Sequence, residues 1–134
     1  MTPPKRSRPK TSAPAPPAEE PPIPLVAGTK PHPPIGLGLW ALGRWTREDE
    51  ARTREVLAAA VAEGILWFDT AEVYGNGRSE RLLGETLERT PVLAREGFIV
   101  TKVSWEHLRP HQVGAALTQS LERLGRTSVD LYLI

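Results

Sequence analysis

The chain has 134 residues, 40% of them hydrophobic and 25% charged, which is enough for one domain only if most of it can fold. Seventeen Lys and Arg stand against 16 Asp and Glu, so no field extends outward to gather polyanions and nucleic acid is not an expected partner. The absence of cysteine excludes disulfides, a thiolate nucleophile and Cys-based zinc, and no apolar run approaches the roughly 20 residues of a membrane span, so a cytoplasmic protein is the default expectation.

Twelve of the 14 prolines fall within residues 1–34, which carry no helical period and little alternation. Such a segment cannot bury enough surface to offset ordering, and it reads as a disordered, partly polyproline tail. Lys5, Arg6, Arg8 and Lys10 read either as a nuclear or nucleic-acid address or, since they are scattered among prolines, more readily as charges of a solvated tail, and no apolar stretch follows them as a secretory signal requires.

From Ile35 to Ile134 short apolar runs alternate with amphipathic segments, the pattern of a parallel sheet with crossover helices. The first run is IGLGLWALG. Thr46 then caps a helix, with Asp49 three residues on and Val56, Leu57, Ala60 and Val61 as its buried stripe, up to Gly64. The second run, ILWFDT, leads through a glycine-rich loop to Ser79, the expected N-cap of a helix carrying Leu82, Leu83, Thr86 and Leu87, and Pro91 is expected to close that unit. The third run, GFIVTKV, precedes a helix that begins at Pro110, shows Val113, Leu117, Leu121 and Leu124 on one face, and stops at Gly125. The fourth run, VDLYLI, ends the sequence inside a strand with no helix to cover it, as if the chain were cut.

In a parallel βα arrangement chemistry gathers at the carboxyl ends of the strands, where Asp69 and Lys102 both fall. Alternation puts Asp69 on a face with Trp67 and Ile65, and Lys102 on one with Val100 and Phe98. If both faces point inward, acid and ammonium meet, and Tyr74 on the intervening loop reaches the same place. A strand-end salt bridge beside a surface tyrosine explains the spacing equally well. Trp40, Trp45 and Trp105 follow strands one and three, where they form the wall of a substrate pocket or fill the core. Gly36, Gly38 and Gly43 lack the spacing of a Rossmann turn, and GNGRS lacks that of a Walker loop. His107 and His111 are four apart, but Pro110 lies between them and no carboxylate trio joins them, so no metal site is expected.

The block GILWFDTAEVYGNGRSERLLG, Gly64 to Gly84, resembles the first signature of the aldo-keto reductases. The resemblance extends to IGLGLWALG, to VTK at the third strand and to SLERLGRTSVDLYLI, covering nearly everything after the tail. It implies a (β/α)8 TIM barrel, here about its first four βα units, and NADPH bound across the barrel mouth, with Gly38, Leu39, Trp40 and Asp69 at the cofactor. It also implies reduction of aldehyde or ketone carbonyls by an Asp, Tyr, Lys and His tetrad. Asp69, Tyr74 and Lys102 match three members, and the His normally follows a run like DLYLI, which here ends at Ile134. The family often has Thr where Leu39 stands and Asn or Arg where Leu66 stands, and it tends to plug the barrel floor with a hairpin, of which Leu25 to Ile35 is a poor version.

The resemblance gives each residue a task. Hydride delivered to a carbonyl carbon leaves negative charge on oxygen, so Tyr74 is the acid that protonates it. A nearby ammonium makes a phenol a stronger acid by favouring the phenolate; Lys102 supplies that charge and Asp69 holds Lys102 in place. Four strands leave two edges unpaired, so a half barrel is expected to self-associate and to be inactive alone. The alternative is a non-catalytic binding or regulatory module, since the family is similar to potassium-channel beta subunits. Retention of acid, phenol and ammonium favours the enzyme.

Overall fold

The computed structural model describes residues 34–40 and 46–134. The proline-rich tail up to residue 33, most of the expected hairpin, Gly43 and Trp45 lie outside the described residues.

Four strands, β1 (Gly36–Gly38), β2 (Trp67–Asp69), β3 (Phe98–Lys102) and β4 (Leu131–Leu133), alternate with helices α1 (Arg47–Ala62), α2 (Arg78–Arg89), α3 (Pro91–Glu96) and α4 (Pro110–Leu124). The strands form one parallel sheet in the order β1, β2, β3, β4, with Gly38 level with Asp69, Asp69 with Val100 and Lys102 with Leu133. Level residues of parallel strands point to the same side, so Gly36, Gly38, Trp67, Asp69, Phe98, Val100 and Lys102 share one face. Leu37, Phe68, Ile99, Thr101 and Tyr132 share the other. This second face carries the core: Phe68 and Ile99 cluster with Leu57, Ala60, Leu82, Leu83, Leu87, Leu93 and Leu124 from the four helices. On the first face Trp67 meets Phe98 edge to face, with ring centroids 5.9 Å apart.

The local signals explain most boundaries. Thr46 and Asp49 form the reciprocal box at the start of α1: the hydroxyl accepts from the Asp49 N–H at 3.2 Å, and the carboxylate accepts from the Thr46 N–H at 2.9 Å. Leu57 and Ala60 are buried as the stripe requires, joined by Thr53, while Val56 and Val61 are half-buried. Pro110 opens α4, and Gly125 closes it in the left-handed region at φ 62°.

Three expectations are corrected. Ser79 does not cap α2. The turn before it passes through positive φ at Gly75, Asn76 and Gly77, and the helix winds up directly from Gly77. Ser79 therefore lies in the first turn, fully buried, with its hydroxyl 2.8 Å from that of Thr70. α2 does stop at Arg89, just before Pro91, but Pro91 does not end the unit; it opens the short helix α3, since its fixed φ suits a first helical position and its missing N–H is no loss there. In α4 the fully buried line is Ala116, Ser120 and Leu124, while Val113, Leu117 and Leu121 are half-buried. Small side chains there permit a close approach to α2, which shows at Gly84. A Cβ at Gly84 would lie 2.6 Å from the carbonyl oxygen of Arg123 and 3.0 Å from the Leu124 backbone. Backbone cannot yield as a flexible side chain does, so Gly84→Ala is expected to cost about 1–3 kcal/mol, read as a lowered urea midpoint.

Tyr132 is an exception in the helix-side layer. Its hydroxyl is buried with no hydrogen-bond partner among the described residues. Burial raises its pKa above the ordinary value of 10.0, and the carboxylates of Glu72 and Glu80 add to this against Arg123. The phenol therefore stays protonated when folded at pH values where the unfolded chain ionises, and its contribution to stability, intact below pH 10, is lost as pH rises above that. Tyr132→Phe removes an unpaired polar atom and is expected to leave the unfolding free energy unchanged or to raise it by about 1 kcal/mol. A clear loss of stability would reveal a bond to that hydroxyl.

Candidate active site

Asp69 ends β2, Lys102 ends β3, and both point to the sheet face opposite the helix-packed core. Their positions follow from alternation alone, because Phe68 and Thr101, one residue earlier, are taken by the core side. Lys102 Nζ lies 2.5 Å from Asp69 Oδ1, 2.9 Å from the Thr70 carbonyl and 3.2 Å from the Tyr74 hydroxyl oxygen. An ammonium has three N–H donors, and these three acceptors use them all. The side chains of Lys102 and Asp69 keep 28% and 34% of their accessible surface, so the pair opens to the mouth and is not sealed in the core.

Tyr74 reaches the ammonium because the loop after β2 doubles back. Its N–H bonds to the Ala71 carbonyl at 3.1 Å, its own carbonyl accepts from the Ser79 N–H at 3.3 Å, and the left-handed residues Gly75 to Gly77 return the chain to α2. The Thr70–Ser79 hydroxyl contact fixes the base of that loop beneath.

The remaining residues singled out from the sequence are placed less uniformly. Gly38 lies at the carboxyl end of edge strand β1, and a Cβ there would meet nothing within 4 Å. Trp40 and Trp105 are exposed by 71% and 75% and so do not fill the core; they flank the strand ends that carry the pair. Leu39 is not with them. Two residues after Leu37, it falls on the helix side, is fully buried in the apolar cluster, and offers no side-chain contact to a ligand. Its backbone N–H donates to the Asp69 carbonyl at 2.9 Å.

Residues the sequence left unmarked also shape the site. The Thr70 carbonyl is the third acceptor for Lys102, and a main-chain group leaves no signature in a sequence. Glu72, with 8% of its surface exposed, accepts from the Ser104 N–H and lies 3.0 Å from His107 Nδ1. It stands in the quoted loop motif, but its partners are more than 30 residues away. Among the described residues no helix is long and apolar enough to cross a membrane.

A parallel sheet with crossover helices, and a carboxylate, phenol and ammonium joined at the strand ends, defines an α/β protein with a candidate site at the carboxyl edge. Residues 34–134 match the model of the Aldo/keto reductase family, and the chain belongs to that family. It is 32% identical over 111 residues to the aldo-keto reductase YhdN of Bacillus subtilis, covering 75% of this chain and 33% of that protein. Among solved structures, the thermostable aldo-keto reductase Tm1743 in complex with the inhibitor epalrestat superposes with a TM-score of 0.73 at 34% identity, covering 81% of this chain and 40% of that one. An aldo-keto reductase from Klebsiella pneumoniae in complex with NADPH gives a TM-score of 0.67 at 28% identity over 78% of this chain and 35% of that one. The chain thus spans a third to two-fifths of the length of these relatives.

Proposed function

We propose that the chain serves NADPH-dependent reduction of aldehyde or ketone carbonyls, with Tyr74 as proton donor, Lys102 as the cation behind it and Asp69 as the group that orients the cation. The observation that carries this reading is the direction of the Lys102 bonds. A phenol oxygen that accepts from the ammonium keeps its own O–H for another acceptor, and a carbonyl oxygen at the strand ends is such an acceptor.

The residues present fit a nicotinamide cofactor. The space beside Gly38 is open, Trp40 presents an exposed ring, and Asp69 gives only Oδ1 to Lys102, leaving Oδ2 to accept from a hydroxyl group. The NADPH complex of the Klebsiella pneumoniae relative supports the choice of cofactor. A reduced nicotinamide held by these residues would be the source of hydride for the carbonyl carbon. As negative charge grows on the carbonyl oxygen, Tyr74 transfers its hydroxyl proton to it. The phenolate left behind faces the Lys102 ammonium at 3.2 Å, and Asp69 with the Thr70 carbonyl keeps that ammonium from turning away. In this reading the exposed rings of Trp40 and Trp105 form an apolar wall for the substrate.

Cofactor binding in this reading draws on strands beyond the four described, and the 134-residue chain alone is expected to be inactive. The test is a hybrid in which residues 34–134 replace the matching segment of the Bacillus subtilis reductase, followed by NADPH consumption with an aldehyde. Turnover is expected for the hybrid and none for the 134-residue chain. A folded hybrid that binds NADPH yet reduces no carbonyl would remove the reading.

A further inference from the structure

Tyr74 is held to the ammonium by a loop that is buried at its start, at Ala71 and Glu72, and looser beyond them. Val73, beside it, is 41% exposed, and Tyr74 is itself only half-buried. The firm point of that loop is Glu72. Its backbone N–H donates to the Lys102 carbonyl at 3.3 Å, while Oε1 accepts from the Ser104 N–H and faces His107 Nδ1 at 3.0 Å. Three contacts thus bind one loop residue to positions 102, 104 and 107, which means to the end of β3 and the 3-10 turn Trp105–His107 that follows it.

A carboxylate with 8% exposure is a costly way to fill space, since an apolar residue of similar volume would need no partners. Its oxygen meets donors that only the neighbouring loop supplies. Tyr74 and Lys102 come from different βα units, so the distance between them is set by whatever registers one loop against the other strand end. We infer that Glu72 is a positioning residue that fixes the Tyr74 hydroxyl over Lys102 by clamping the loop after β2 to the segment after β3. This inference rests on the assignment of Tyr74 and Lys102 as proton donor and cation. The same clamp registers the turn that carries Trp105, so the reactive pair and the substrate wall are set by one carboxylate.

The chain has two tyrosines, so a sample labelled with carbon-13 at the ring carbon bearing oxygen gives two NMR signals, and Tyr132→Phe identifies that of Tyr74. Lys102→Met marks where this signal moves when the ammonium is lost. Glu72→Ala is expected to move the Tyr74 signal toward that position and to speed amide exchange at Ser104 by about tenfold or more, while exchange at Phe68 and Ile99 stays slow. Glu72→Gln, which keeps an acceptor oxygen, is expected to restore both. Ser104→Pro removes the donor from the other side at a φ of −69° that proline accepts, and is expected to reproduce the Tyr74 shift if Glu72→Ala does not fold. A Tyr74 signal unmoved in Glu72→Ala or Ser104→Pro while the sheet stays protected would overturn the positioning role alone. A signal unmoved in Lys102→Met would overturn the tyrosine–lysine reading and the clamp with it.

Discussion

Tyr74→Phe in a hybrid that reduces carbonyls is expected to lower kcat by about 10²- to 10⁴-fold, the range lost with a positioned general acid, and to leave the Kd for NADPH within about threefold. Phenylalanine keeps the ring beneath the Lys102 ammonium, which lies 4.9 Å from the ring centroid, but has no proton to give as charge develops on the substrate oxygen. Lys102→Met is expected to fall as far for a different reason. The phenol remains, yet the phenolate formed after transfer loses the ammonium 3.2 Å away. The check is steady-state turnover beside cofactor titration on the same samples. Wild-type turnover in Tyr74→Phe would reassign the acid to another group, whereas equal losses in kcat and cofactor affinity would point to a binding role for the ring.

The second large effect concerns stability and lies on the other side of the sheet. Glu80 is fully buried; its carboxylate accepts from Thr101 Oγ1 at 2.6 Å and from Arg123 Nε at 2.5 Å, and Arg123 also donates to Ser120 Oγ at 3.1 Å. The arginine stem fills the space beside Gly77, where a Cβ would come within 2.6 Å of its Cδ. One side chain from α4 thus neutralises a charge on α2 and supports the turn below the Tyr74 loop. Arg123→Ala leaves the Glu80 carboxyl buried and held by a single hydroxyl, and is expected to cost about 3–5 kcal/mol. That is a large part of the roughly 5–15 kcal/mol that stabilises an ordinary domain, so the urea midpoint should collapse. Glu80→Met combined with Arg123→Leu should recover much of the loss, because apolar residues of similar volume need neither desolvation nor partners. A loss below about 1 kcal/mol in Arg123→Ala would mean that water reaches the carboxylate.

These two networks explain why adjacent residues have opposite fates. Phe68, Thr70, Ile99 and Thr101 belong to the helix side, Asp69 and Lys102 to the mouth, and a shift of one residue in either strand would bury the acid and the amine. Leu39 obeys the same alternation. Its place two residues after Leu37 already sets it in the core, although the resemblance of GLGLW to the family pattern sets it at the cofactor.

What the amino-acid order determined alone is what depends on neighbours in the chain. The three βα units and the fourth strand, the Thr46 box, Pro110 and Gly125 at the ends of α4, and the face shared by Asp69 with Trp67 follow from periodicity and capping, which act over a few residues. Tertiary structure decided what depends on residues 20 to 45 apart. The Thr70 carbonyl under Lys102, the Ser104 amide and His107 opposite Glu72, and Arg123 opposite Glu80 are contacts between separate units. Neither a backbone carbonyl nor the burial of a glutamate is written in any local pattern, because both arise only when the sheet sets one strand end beside the next.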